Sequence, residues 1–188
     1  MGQEVSTIGG VSIHPGPASV RLALPSQAEQ IATIQRLSMA RNKHYKDLLT
    51  SYSDEQMSTS WREAILRPPL ATMRILVADD GDGTLVGFAV VGPNDDPDAD
   101  ISDAELVEWH LHPEHRESDH ADRLMHAVID TVRADGFSTI RHWLATDDDS
   151  HRKFLTDLGW AADQAHREIG TEDGHLRLRQ IRMHTCVI

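Results

Sequence analysis

One cysteine in 188 residues excludes an intrachain disulfide and any cysteine-built metal cluster, and that residue, Cys186, stands two places from the C-terminus. A reducing compartment, the cytoplasm, is the expectation. Cations are also scarce. Against 30 Asp and Glu there are 18 Lys and Arg, a formal net charge of −12, and the basic residues are scattered instead of clustered as phosphate binding would require. Nucleic acid is therefore not an expected partner; the acid excess either serves solubility or steers cationic molecules to the surface. Long apolar runs are missing too. The longest, around Leu85 to Val91, falls far short of a bilayer span, and no basic segment followed by an apolar stretch opens the chain, so neither a membrane nor secretion is expected. Tyrosine is limited to Tyr45 and Tyr52.

What is there suits one soluble globular domain. Hydrophobic residues make up 39% and charged residues 26%, ordinary values, and the length suits one core better than two. Residues 1–18 hold Gly9, Gly10, Pro15, Gly16 and Pro17 without periodicity and read as a loose arm, leaving 19–188 as the domain. Ser19 to Leu24 alternates as a strand does. Pro25 breaks it, and Ser26-Gln-Ala-Glu29 reads as a capping box opening a helix with Ile31, Ile34 and Leu37 as its buried stripe. A second capping box, Ser53-Asp-Glu-Gln56, opens a helix with Met57, Trp61, Ala64 and Ile65 on one face, stopped by Pro68-Pro69. Met73 to Ala78 and Thr84 to Val91 flank a turn-forming Asp79-Asp-Gly-Asp-Gly83 and predict an antiparallel hairpin.

Gly92 to Asp103 is acidic and contains proline; the spacing and closing Glu of an EF-hand are missing, so a solvated loop is expected. Beyond it come a strand over Ala104 to Leu111 and a helix near His120 to Ala134 with Leu124, Val128 and Val132 at helical spacing. A strand over Ser138 to Leu144, a short helix over Ser150 to Leu158 and a hairpin around Thr171 to Gly174 complete the chain. The order β-α-α-β-β-β-α-β-α-β-β predicts an α+β fold: a mixed, mostly antiparallel sheet of about six to seven strands flanked by about four helices.

Four phrases then resemble the GNAT N-acetyltransferase superfamily, in the family's order: Leu85-Val-Gly-Phe88, Glu105-Leu-Val-Glu-Trp-His-Leu-His-Pro113, Arg133-Ala-Asp-Gly-Phe137 and Phe154-Leu-Thr-Asp-Leu-Gly-Trp160. The resemblance spans roughly Ser19 to Met183. It implies direct transfer of an acetyl group from acetyl-CoA, as co-substrate, to the amine of a small molecule or peptide, without a metal, and a domain that often pairs into homodimers. A backbone amide around Trp109 to Leu111 would serve as oxyanion donor, and Arg116, Glu117, Ser118, Asp119, His120 and Ala121 would form the pyrophosphate loop, with Asp148 and His151 also on the coenzyme side. In that loop Asp119 stands where the family has glycine. It can be read as a departure that brings a carboxylate toward phosphate, or as a helix cap with no phosphate present. Leu155 occupies the place of the tyrosine that commonly protonates the thiolate. Together Asp119 and Leu155 motivate an alternative, a GNAT-fold binding module that has lost its coenzyme.

Two residues compete as general base. Glu105 falls where the histone-acetylating branch of the superfamily carries its glutamate, and His110 offers an imidazole in the acceptor cleft. Glu108, His110 and His112 recur with a period of two, but three ligands on one strand converge poorly on one zinc ion, so no metal is expected. Tyr45 and Trp61 are the expected walls of the acceptor pocket.

Overall fold

The sheet is assembled around its middle strands. The computed structural model of the chain describes residues 17–115, 119–172, 174 and 177–187; the expected N-terminal arm falls almost wholly outside them. In chain order the elements are β1 (Ser19–Leu22), α1 (Ala28–Met39), α2 (Lys46–Thr50), α3 (Asp54–Leu66), β2 (Arg74–Asp79), β3 (Leu85–Pro93) and β4 (Asp103–Leu111). After these follow α4 (Asp119–Ala134), β5 (Thr139–Ala145), α5 (Asp149–Asp157), β6 (Ala161–Gly170) and β7 (Arg177–Cys186). The seven strands lie in the order β1-β2-β3-β4-β5-β7-β6, and only β4 and β5 run parallel. The mixed, mostly antiparallel sheet is thus as the sequence predicts. None of the described helices is long and apolar enough to cross a membrane.

Two apolar layers hold the helices to the sheet. Leu124, Met125, Val128 and Val132 of α4 pack with Leu155 and Trp160 on one face, against Leu76, Val91, Leu106, Ile140 and Met183. On the other face Ile31 and Ile34 of α1, with Trp61, Ala64 and Ile65 of α3, cover Val77, Phe88 and Val90. Side chains one residue apart on a strand serve opposite layers, which is why β2 and β3 read as nearly continuous apolar runs.

Local chemistry explains where the helices start and where expectation fails. At α3 the capping box forms as predicted: Ser53 N donates to Gln56 Oε1 (2.8 Å) and Gln56 N donates to Ser53 Oγ (3.2 Å). At α1 it does not. Pro25 opens a 3-10 turn, and Gln27, not Ser26, ties the entry by accepting from Leu24 N at 2.9 Å. Leu37 is 40% exposed because it lies about 240° round the helix from Ile31, so Ala28, Ile31, Ala32 and Ile34 make the buried stripe. The short α2, introduced by a 3-10 turn over Lys43–Tyr45, adds a fifth helix to the expected four.

The acidic segment after β3 is the larger correction. Instead of a simple solvated loop it lies against the face on which β5 and β7 present Arg141, Trp143 and Arg182. The Arg182 side chain is 7% exposed and meets three carboxylates: Nε–Asp163 Oδ2 2.7 Å, Nη1–Asp96 Oδ2 3.0 Å and Nη2–Asp98 Oδ2 2.6 Å. Arg141 Nη2 bonds Asp103 at 2.8 Å, and Trp143 Nε1 donates to Asp96 Oδ2 at 2.9 Å. Buried guanidinium groups need such partners, and the loop supplies them.

Gly87 marks the closest approach beside the cleft. A Cβ there would lie 2.6 Å from Leu111 Cδ2 and 3.0 Å from the His110 carbonyl. A Gly87→Ala variant should lose about 1–3 kcal/mol of stability through overpacking, read as a lower urea midpoint with an unchanged slope.

Candidate functional site

The cleft exists because β4 and β5 part company. They pair only where Asp103, Ala104 and Glu105 meet Thr139, Ile140 and Arg141. Beyond Glu105, β4 continues along β3 alone, and its register slips: Val91 faces Leu106 while Val90 faces Glu108, which leaves Val107 as the extra residue of a β-bulge. The bulge turns the Leu106 carbonyl toward β5, where His142 Nδ1 donates to it at 2.6 Å. Further along, His112 N bonds Val86 O at 2.8 Å. By the alternation of an antiparallel ladder the amides of His110 and His112 are spent on β3, and those of Trp109 and Leu111 point into the opening. The opening is a cleft of about 1000 Å³ whose walls include Tyr45, Glu105, Trp109, Leu111, His142 and Phe154.

Proton affinities inside the cleft are spread by burial. Glu105, at the apex where the strands separate, is pushed up to about 7; burial is the main cause, Asp96 and Asp95 add to it, and Arg167 opposes it. His142 is pushed down to about 4, again chiefly by burial, so it is neutral at pH 7 and its Nδ1 hydrogen is fixed on Leu106. Tyr45 is raised to about 12 by burial, with Glu108, Asp148 and Asp147 contributing, and stays a phenol. The 3-10 turn that carries it rests on the β5–α5 connection, where His44 Nε2 is 3.2 Å from Asp147 Oδ2; Tyr45 and Leu48 pack on Ala145 and Leu178.

The other expected site residues divide. Trp109 stacks on Phe154 (5.7 Å between centroids) and on His151 (6.3 Å), so both walls of the opening are aromatic. Asp148 caps α5 by accepting from His151 N at 3.1 Å, and both residues line the cleft. His110 also lines it, but its Nε2 sits 2.5 Å from Glu108 Oε2 and its ring packs on Phe88. His112 lies past the strand, its ring 5.8 Å from that of His115. Trp61 is a correction. It packs edge-on against Phe88 at 5.0 Å and donates Nε1 to Gln35 (2.9 Å), supporting the cleft from the core without lining it, because Gln35 stands between.

On the coenzyme side, Arg116, Glu117 and Ser118 lie outside the described residues. Asp119 is exposed and belongs to the first turn of α4 with Asp122, where negative charge favours the helix. His120 has Arg123 Nη1 3.1 Å from its Nδ1, and burial followed by Arg123 and His115 holds its proton affinity below the usual histidine range. Ala121 is buried beside the cleft. Leu155 is fully buried in the core, and its neighbour Phe154 faces the cleft. Sequence reasoning missed His142, Trp143 and Arg167: a lone histidine between two strand residues carries no motif, and Arg167 reaches the site only through the β6–β7 pairing.

Comparison with known proteins agrees with this geometry. The Acetyltransferase (GNAT) family profile matches residues 37–160, well over half of the chain. No curated protein matches in sequence. Among solved structures, an N-acetyltransferase from Staphylococcus aureus Mu50 superposes with a TM-score of 0.71 at 16% identity, covering 92% of this chain and 100% of that one. A candidate acetyltransferase from Salmonella typhimurium, solved with its cofactor acetyl-CoA, gives 0.69 at 16% identity over 92% of this chain and 95% of that one. The PaiA N-acetyltransferase from Thermoplasma acidophilum, in complex with coenzyme A, gives 0.64 at 16% identity over 90% and 98%. These likenesses establish the shared fold, and the profile match establishes the kinship. With its parted fourth and fifth strands and its cleft between them, the chain belongs to the GNAT acetyltransferase family.

Proposed function

We propose that the protein transfers an acetyl group from acetyl-CoA directly to a primary amine of a small molecule or peptide. The observation that carries this reading is one cleft holding both a carboxylate with proton affinity near neutrality, Glu105, and two strand amides, Trp109 and Leu111, with no partner strand beside them. Such amides are placed to receive the negative charge that develops on a thioester oxygen during attack. Glu105 takes the proton from the incoming ammonium, the amine nitrogen bonds to the carbonyl carbon, and collapse breaks the carbon–sulfur bond. The departing thiolate, whose conjugate thiol has a pKa of about 8.5, takes up the second proton that the nitrogen loses as the amide forms, directly or through water. Tyr45 is the phenol that lines the cleft. Glu105 is preferred to His110 as base because Glu108 engages Nε2 of His110 and the other ring nitrogen, Nδ1, is buried.

Asp119 in the first turn of α4 and Leu155 in the core favour a second reading, a binding module without coenzyme. Calorimetric titration with acetyl-CoA separates the two. Under the enzyme reading the wild type binds, and Asp119→Gly binds several-fold more tightly because a carboxylate is removed from the path of the phosphates; absence of binding by both proteins would leave only the module.

The pH profile tests the base. A carboxylic acid that titrates at about 7 is charged above that pH, so kcat/KM should rise through pH 7 and level off above it. Glu105→Gln should lower kcat by about 10²–10³-fold and abolish that limb, with the Kd for acetyl-CoA little changed. A limb that survives the substitution would remove Glu105 from the role.

A further inference from the structure

We propose that Asp96 is a positioning residue for Glu105: clamped by Arg182 and Trp143, it holds the guanidinium of Arg167 aside and keeps that cation from closing an ion pair on the carboxylate. This inference rests on the reading of Glu105 as the base. Asp96 is almost fully withdrawn from solvent, its side chain 9% exposed, and its two oxygens receive Trp143 Nε1 at 2.9 and 3.2 Å, Arg182 Nη1 at 3.0 Å and, more loosely, Arg167 Nη1 at 3.8 Å. Arg167 is held on two further sides. Its guanidinium carbon lies 4.3 Å over the Trp143 ring, and its Nε donates to Gln180 Oε1 at 2.6 Å.

The placement matters because Arg167 lines the same cleft as Glu105 and is the main neighbour that favours its charged form. A guanidinium free to swing would form a bidentate pair with the carboxylate, covering its oxygens and weakening it as a base. The other groups on this side are engaged elsewhere: Arg141 on β5 by Asp103 (2.8 Å) and Asp98 (3.3 Å), Arg182 on β7 by Asp96, Asp98 and Asp163, and His142 by the Leu106 carbonyl. Asp95 and Asp96 supply the negative charge on the loop side. Arg167 is thus the cation whose position governs Glu105, and Asp96 is the acid that fixes it.

The test reads the proton on Glu105 itself, so it needs no turnover. The carboxyl 13C resonance of Glu105, assigned by its loss in Glu105→Gln, is followed against pH in the wild type, Asp96→Asn, Asp98→Asn, Arg167→Gln and the Asp96→Asn/Arg167→Gln double variant. Asp96→Asn should lower the midpoint by at least about half a unit, both through the lost negative charge and through release of Arg167. Asp98→Asn loosens the same clamp on Arg182 without facing Glu105, and should leave the midpoint in place. Arg167→Gln should raise it, and in the double variant most of the fall seen with Asp96→Asn should disappear, a coupling that a merely structural loop would not give. An unmoved midpoint in Asp96→Asn, or equal shifts in Asp96→Asn and Asp98→Asn, would overturn the proposal; if Asp96→Asn does not fold, an unmoved midpoint in Arg167→Gln overturns it. Lack of acetyl transfer with every amine tried would count against the enzyme reading and leave this titration standing.

Discussion

Everything in the cleft depends on β4 having one continuous neighbour and one that departs. An extra residue at Val107 shifts the phase of the strand, so that Leu106, Trp109 and Leu111 all direct main-chain groups to the side that β5 has left. Polar backbone without a strand partner is costly when buried, and a fold keeps it only where solvent or a ligand can reach it. Gly87 serves the same geometry from β3, since its missing side chain lets Leu111 lie close over the neighbouring strand.

A second constraint is electrostatic. The chain carries a net charge of −12, and three arginines converge on the acidic loop after β3 and the sheet beneath it. The acids that read as a hydrophilic connector are therefore part of the packing of β5 and β7. Their side effect is to place negative charge near Glu105, which strengthens what burial already does to that carboxyl.

The fold was largely legible because its signals are local. The apolar runs of β2 and β3 about their turn, the Ser53–Gln56 box and the spacing of Leu124, Val128 and Val132 are each decided within a few residues. The misses come from interactions that local pattern does not contain. Gln27 displaced Ser26 because Pro25 moved the helix start, and Leu37 left the stripe because the period of 3.6 does not let i, i+3 and i+6 share one face. Lys46–Thr50 is too short to announce itself by periodicity. At the cleft, Glu105, Trp109 and Leu111 belong to one strand phrase and are legible together, whereas Arg167, Trp143 and Arg182 come together only through strand pairing, across sequence separations that no motif spans.

The short seam between β4 and β5 also has a mechanical meaning. Strands β1 to β4 and strands β5 to β7 each form a well-paired antiparallel unit, and the two units are stitched to one another over three residue pairs. The seam opens the sheet into a wedge, with His142 and its bond to the Leu106 carbonyl acting as a stay just inside the joint and α4 packing across both units behind it. The walls of the wedge come from both units, Trp109 and Leu111 from one and His142 and Leu144 from the other, so a group lodged there touches the two at once.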